Sequence, residues 1–180
     1  MSETLERPLK CFSSAAAAMK GPPGYFASAA FSNCRWTLAG DQRDDRMRRF
    51  CQKFLRRLDS MDMPFYPQLG LMDLKTARHR YVTGVDPWRP AESPYLDGTA
   101  VTFAHCLHDD LHPRCWALFA EIGFDVARLA QVPVMWGGFA DPRMPGTFRI
   151  YDGACDTGWR VDKRTYGVRK GGELPYRLDP

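Results

Sequence analysis

The sequence predicts an α+β domain: a small antiparallel sheet with about three helices, flanked by extended N- and C-terminal arms. Three observations predict it. Residues 41–60 carry one apolar stripe at helical spacing. Four short runs, 64–69, 99–103, 132–136 and 147–151, read as strands. Helices and strands do not alternate in the βαβ rhythm of a parallel sheet.

Residues 1–40 read as an arm. They hold a featureless run of small residues at 13–19, the turn Gly21-Pro22-Pro23-Gly24, and scattered aromatics (Phe12, Tyr25, Phe26, Phe31, Trp36). Such a segment cannot build a core alone, but it can lie along one or on a neighbour. In the helix at 41–60, Asp41 is the expected N-cap, and Met47, Phe50, Cys51, Phe54 and Leu58 share one face. The other face carries Arg43, Arg46, Arg48, Arg49, Lys53, Arg56 and Arg57. Two readings fit it, a phosphate-binding surface or a solvated face. Asp44, Asp45 and Asp59 dilute the charge and favour the second. A second helix spans 73–82, with Leu74, Ala77 and Tyr81 expected inward. His112-Pro113 opens a third, because proline suits the first helical position. Its face is Trp116, Phe119, Ala120, Gly123, Val126, Ala127 and Ala130. Residues 152–180, Gly-rich and basic without periodicity, read as a second arm. The expected division is 1–40, 41–151 and 152–180.

Composition narrows the class. With 180 residues, 44% hydrophobic and 26% charged, the chain is long enough for one domain with a sizeable core. No apolar run approaches the roughly 18 residues of a membrane span. The run of small residues near the start is too short for a signal-peptide core. No membrane partner is expected. A net charge of +4 does not argue for nucleic acid, and no specific nucleic acid is expected. Of the six cysteines, Cys51 and Cys115 sit in helical patterns and are expected as thiols. Disulfides, where they form, are expected among Cys11, Cys34 and Cys155 in the irregular ends. The absence of a CxxC pair argues against a zinc ribbon or a thioredoxin-type site.

His105, His108, His112 and Cys115 fall close together. His108-Asp109-Asp110-Leu111-His112 imitates the HExxH zinc signature with Asp in place of Glu. That signature needs both histidines on one face of a continuous helix. Pro113 steers His112 out of the helical region, so the pair is expected in the loop before the third helix.

A longer pattern emerges from about residue 44 to 150. Arg46–Ser60 is followed by Tyr66–Leu71, then by Lys75–Gly84 ending Tyr81-Val82-Thr83-Gly84. Ser93-Pro94-Tyr95-Leu96-Asp97-Gly98-Thr99-Ala100-Val101-Thr102 follows, then the helix from Cys115, then Trp136-Gly137-Gly138 and Asp141-Pro142-Arg143-Met144. This order resembles the zinc D-alanyl-D-alanine carboxypeptidase family, which includes the L-alanyl-D-glutamate endopeptidase endolysins of phages. Its motifs run G-[YF]-R-[ST], L-Y-x-x-G, S-x-H-x-x-G-x-A-x-D, W-G-G and D-x-x-H-[WF]-E.

The resemblance implies that fold, and a zinc ion held by two histidines and an aspartate beside a carboxylate base and an arginine. The sequence departs from the pattern at those positions. Tyr95 stands at the first histidine, Thr102 at the aspartate, Met144 or Gly146 at the last histidine, and Met72 near the arginine. Asp141 alone remains as a carboxylate. A phenol, a hydroxyl and a thioether do not make a zinc site.

The expectation is therefore a catalytically inactive peptidase-like protein with no cofactor. It is expected as a structural or assembly component of a phage virion, made in the host cytoplasm, with other virion proteins or copies of itself as partners. The first alternative is a non-cutting peptidoglycan-binding module with a groove near Tyr95, Thr102, Trp136 and Asp141, where Trp136 also suits plain core filling. The second is an active zinc hydrolase using His105, His108 and His112.

Overall fold

The computed structural model describes residues 12–34, 44–86, 88–140, 143–151, 159–161 and 168–170. Six helices appear among these residues. α1 is Ser13–Ala18, α2 Ala29–Cys34, α3 Asp45–Asp59, α4 Leu74–Val82, α5 Pro113–Ala130 and α6 Gly137–Ala140. The strands are β1 Phe65–Leu69, β2 Ala100–His105, β3 Val134–Trp136, β4 Thr147–Ile150, β5 Trp159–Val161 and β6 Val168–Lys170. The first four form one sheet in the order β1-β2-β4-β3, every neighbouring pair antiparallel. The α+β expectation matches this architecture. α3, α4 and α5 are the three helices expected, and the short α1, α2 and α6 add to them.

α3 starts later than expected. Asp44 is its N-cap, accepting from the backbone N–H of Arg46 at 2.8 Å and of Met47 at 3.2 Å. The Arg46 guanidinium also donates to that carboxylate, which holds Asp44 below the usual carboxylate range. Asp41, the expected cap, lies outside the described residues. Met47, Phe50, Cys51, Phe54 and Leu58 are all buried, and Leu55 joins them. Arg46 pairs with Asp44 and Arg48 with Asp45, while Arg49, Lys53 and Arg56 are exposed, as on a solvated face.

α3 and α5 pack together against one face of the sheet. α5 is buried nearly all round, as a central helix must be. Phe54 sits at the hub, with ring centroids 5.3 Å from Phe50, 4.9 Å from Phe119, 5.2 Å from Phe103 and 5.4 Å from Phe148. Each fully buried phenylalanine contributes about 1.5–3 kcal/mol through the area it removes from water.

Two expectations need correction. In α4 only Ala77 is buried, and Leu74 and Tyr81 are each 43% exposed. The helix touches mainly the turn at Pro90–Glu92, and among the described residues no second layer lies above it. The expected N-terminal arm is partly core. Phe12, Ala15 and Met19 belong to the main apolar cluster, and α1 lies on α5. The physical reason is that the small residues of 13–19 let a short helix approach closely, so the isolated large side chains beside them reach the interior. Cys51 and Cys115 are free thiols, whereas Cys11, Cys155 and the side chain of Cys34 lie outside what is described. Among the described residues no helix is long and apolar enough to cross a membrane.

Candidate functional site: a hydroxyl cluster beneath an open cleft

β2 and β4 pair so that Val101 faces Phe148 and Thr102 faces Thr147. Val101, Phe103 and Phe148 point into the core under α3 and α5. Strand alternation therefore sends Thr102 and Thr147 to the opposite face of the sheet. Tyr95 reaches them from the turn that precedes β2. Its ring is fully buried with Met72, Ala77 and Ala100, and Trp88 packs edge-on at 5.7 Å. The Tyr95 hydroxyl lies 2.6 Å from Thr102 Oγ1 and 3.5 Å from Thr147 Oγ1, and the two threonine oxygens are 2.8 Å apart. Burial pushes the Tyr95 phenol upward, so it remains a neutral hydroxyl at ordinary pH.

A cleft of about 540 Å³ opens on this face. Thr102 and Ala104 of β2, Thr147 of β4, and Tyr66 and Gln68 of β1 line it from the sheet. His108, Asp109, Arg143 and Met144 contribute from the loops, and Arg80 from α4. Arg80 and Asp86 form a two-pronged ion pair at 2.7 and 2.9 Å, and Asp86 is almost wholly buried. Sequence reasoning missed this pair. The chain turns back after α4, with Val85 N–H and Asp86 N–H both donating to Arg80 O, and only that reversal brings the two together.

The structure sorts the residues singled out from the sequence. Tyr95 and Thr102 converge. Met144 and Gly146, the two positions considered for the last histidine, do not join them; Thr147 does. A Cβ on Gly146 would collide with Phe103 O, so that position serves close backbone packing. The sequence did not single out Thr147, whose place beside Thr102 is set by the β2–β4 register. Met72 is buried and supplies no cation. Asp141 lies outside the described residues.

Trp136 belongs to the core, and its indole N–H donates to Pro145 O at 2.6 Å, tying down the loop before β4. It borders a smaller cavity of about 490 Å³, not the main cleft. The Trp-Gly-Gly motif has a steric cause. A Cβ on Gly138 would strike the Trp136 ring, and one on Gly137 would lie 2.6 Å from Met144 O.

His105 and His112 are committed to backbone groups. His105 is buried and uses both ring nitrogens: Nδ1 accepts from Leu107 N–H at 3.2 Å, so Nε2–H donates to Met19 O at 2.9 Å. Its ring stacks on His108 at 4.9 Å. His112 is the N-cap of α5 in extended backbone, and its Nδ1 accepts from Arg114 N–H. Among the described residues no group of three His, Cys, Asp or Glu is placed to hold a metal ion. Zinc takes thiolate, imidazole or carboxylate donors. Three neutral hydroxyls bonded to one another do not fit it.

A four-stranded antiparallel sheet, with α3 and α5 on one face and a cleft on the other, makes an α+β fold. The L-Ala D-Glu endopeptidase ChiX of Serratia marcescens has a similar structure, at TM-score 0.51 and 21% identity. The likeness covers 65% of this chain and 90% of that one. At this identity it speaks for the fold alone. No family model and no curated protein matches the sequence.

Proposed function

We propose that the chain is a peptidoglycan-peptidase-like protein that carries out no metal-dependent peptide hydrolysis and serves as a structural or assembly component of a phage virion. Other virion proteins or copies of itself are its partners, and it needs no cofactor. The observation that carries the catalytic half is the donor set. Tyr95, Thr102 and Thr147 satisfy one another as neutral hydroxyls and offer a cation no charge. The virion half draws on the resemblance to a family that includes phage endolysins. The cleft favours a second reading, a non-cutting module that holds a cell-wall peptide over the sheet.

Three measurements test this. Elemental mass spectrometry of the dialysed full-length protein should find almost no zinc, and incubation with purified peptidoglycan should release no peptide. Stoichiometric zinc with peptide release overturns the catalytic half. In purified phage particles the chain should be present as a fixed component; its absence there, together with co-sedimentation on insoluble peptidoglycan, selects the second reading.

A further inference from the structure

We infer that the outer face of α4 is a docking surface for an acidic amphipathic helix of another protein. The inference names the kind of partner for the assembly role proposed above. It rests on that reading only for where the partner is found.

The first observation is a concentration of exposed apolar side chains. Among the described residues six large ones are exposed, and four of them, Leu74, Tyr81, Val82 and Val85, belong to α4 and the turn that follows it. Val82 is 82% exposed and Val85 51%. Single exposed apolar residues are ordinary, whereas a cluster of them marks an interaction site. At 3.6 residues per turn Leu74, Arg78, Tyr81 and Val82 share one side of the helix, and Ala77 turns inward to Met72, Tyr95 and Ala100.

The second observation is that the segment is held firmly. Asp73 caps α4 by accepting from Thr76 N–H at 2.7 Å, and Arg80 is pinned to the buried Asp86 beyond the other end. The apolar stripe is therefore presented on a fixed helix, which lowers the ordering cost of binding.

Charge selects the occupant. Lys75 and Arg78 are exposed, and among the described residues neither joins an ion pair. Arg78 lies in the middle of the stripe, where a partner must answer it with a carboxylate. A second copy on the same face is disfavoured. Residue 78 is the midpoint of α4, so a two-fold axis through the helix sets Arg78 against Arg78 in either orientation. A bilayer is disfavoured too, because the same guanidinium would have to enter hydrocarbon with the stripe. A helix that packs its apolar ridge beside Leu74, Tyr81 and Val82, and carries Asp or Glu against Arg78 and Lys75, meets both demands.

The probe is a fluorescein-labelled synthetic helix with leucine at every third and fourth position and glutamate beside each leucine. Full-length protein should raise its anisotropy saturably. The same peptide with lysine for glutamate should bind about tenfold more weakly or worse. Tyr81→Ser should weaken the acidic peptide about tenfold, and Arg78→Glu should reverse the preference between the two peptides. Lys53→Glu, on the exposed face of α3, should change neither. No binding of the acidic peptide, equal binding of both peptides, or a Lys53→Glu variant that matches Arg78→Glu overturns the proposal. Self-association in sedimentation that Tyr81→Ser abolishes overturns it in favour of a second copy. Phosphatidylglycerol vesicles that bind the native chain but not Tyr81→Ser overturn it in favour of a membrane. The comparison of peptides on the native chain needs no variant, so a variant that misfolds leaves the surface decidable. Presence in phage particles is read separately: a chain absent from them that still prefers the acidic peptide fails the earlier reading and not this one.

Discussion

Replacing Gly123 by alanine tests the contact on which the position of β4 depends. Gly123 lies inside α5, facing the sheet. A Cβ built there meets the Phe148 ring at Cζ and lies 2.8 Å from Cε1 and 3.0 Å from Cε2. Carbon atoms pack comfortably at about 3.5–4.0 Å, so ring or helix must yield by about an ångström. The ring has nowhere to go. Phe50, Phe54 and Phe119 surround it at 5.2, 5.4 and 5.6 Å between centroids, and it is fully buried. Overpacking of this kind costs about 1–3 kcal/mol, and the upper end applies where neighbours are fixed. Alanine recovers about 0.8–1 kcal/mol of helix propensity. The net expectation for Gly123→Ala is a loss of about 2 kcal/mol, roughly thirtyfold in the unfolding constant. Urea denaturation followed by far-UV circular dichroism reads it as a lower midpoint at unchanged slope. Adding Phe148→Leu should recover part of the loss, giving a favourable coupling of about 1 kcal/mol or more in the double-mutant cycle. A Gly123→Ala variant about 1 kcal/mol more stable than the native chain would refute the reasoning, because propensity would then outweigh a contact that does not exist.

Two further outcomes follow from the N-terminal segment. Burial, together with the neighbouring His108, holds His105 below its ordinary pKa despite the bond to Met19 O. The unfolded chain protonates this histidine near pH 6.5 while the folded chain keeps it neutral. Its contribution to stability is therefore full above about pH 6.5 and falls as the pH drops toward the lower folded value. Denaturation midpoints between pH 8 and pH 5 should show that decline, and His105→Gln should flatten it; an equally steep decline in the variant assigns the effect to other groups. Met19 is fully buried, so Met19→Ala should cost about 2–5 kcal/mol by leaving a cavity. Full stability of that variant would return the segment to the status of a free arm.

Much of the scaffold was legible because it depends on local periodicity. Met47, Phe50, Cys51, Phe54 and Leu58 repeat every three or four residues, and that spacing makes one helix face whatever lies opposite. Pro113 determines the start of α5 through its own ring, and His112 is extended before it as the steric rule requires. Strand alternation separates Val101 and Phe103 from Thr102 in the same local way. What escaped local reading were relations between distant segments. Asp44 displaces Asp41 as cap because two backbone N–H groups meet its carboxylate. Leu74 and Tyr81 are apolar at inward spacing, yet among the described residues no second layer covers α4. Phe12 and Met19 look like stray residues in a featureless stretch, and only the surface of α5 makes them core.

The candidate site shows the same division. By itself the sequence singled out Tyr95 and Thr102, seven residues apart around the turn into β2, as an expectation from a family resemblance. Only the tertiary structure decided that Thr147 completes the group, because its place beside Thr102 is a matter of β-register across 45 residues of chain. The same holds for His105, whose two nitrogens are claimed by Leu107 and by Met19, the latter 86 residues away. A side chain's chemistry is written in the sequence. Which partners satisfy it depends on which segments the core presses together.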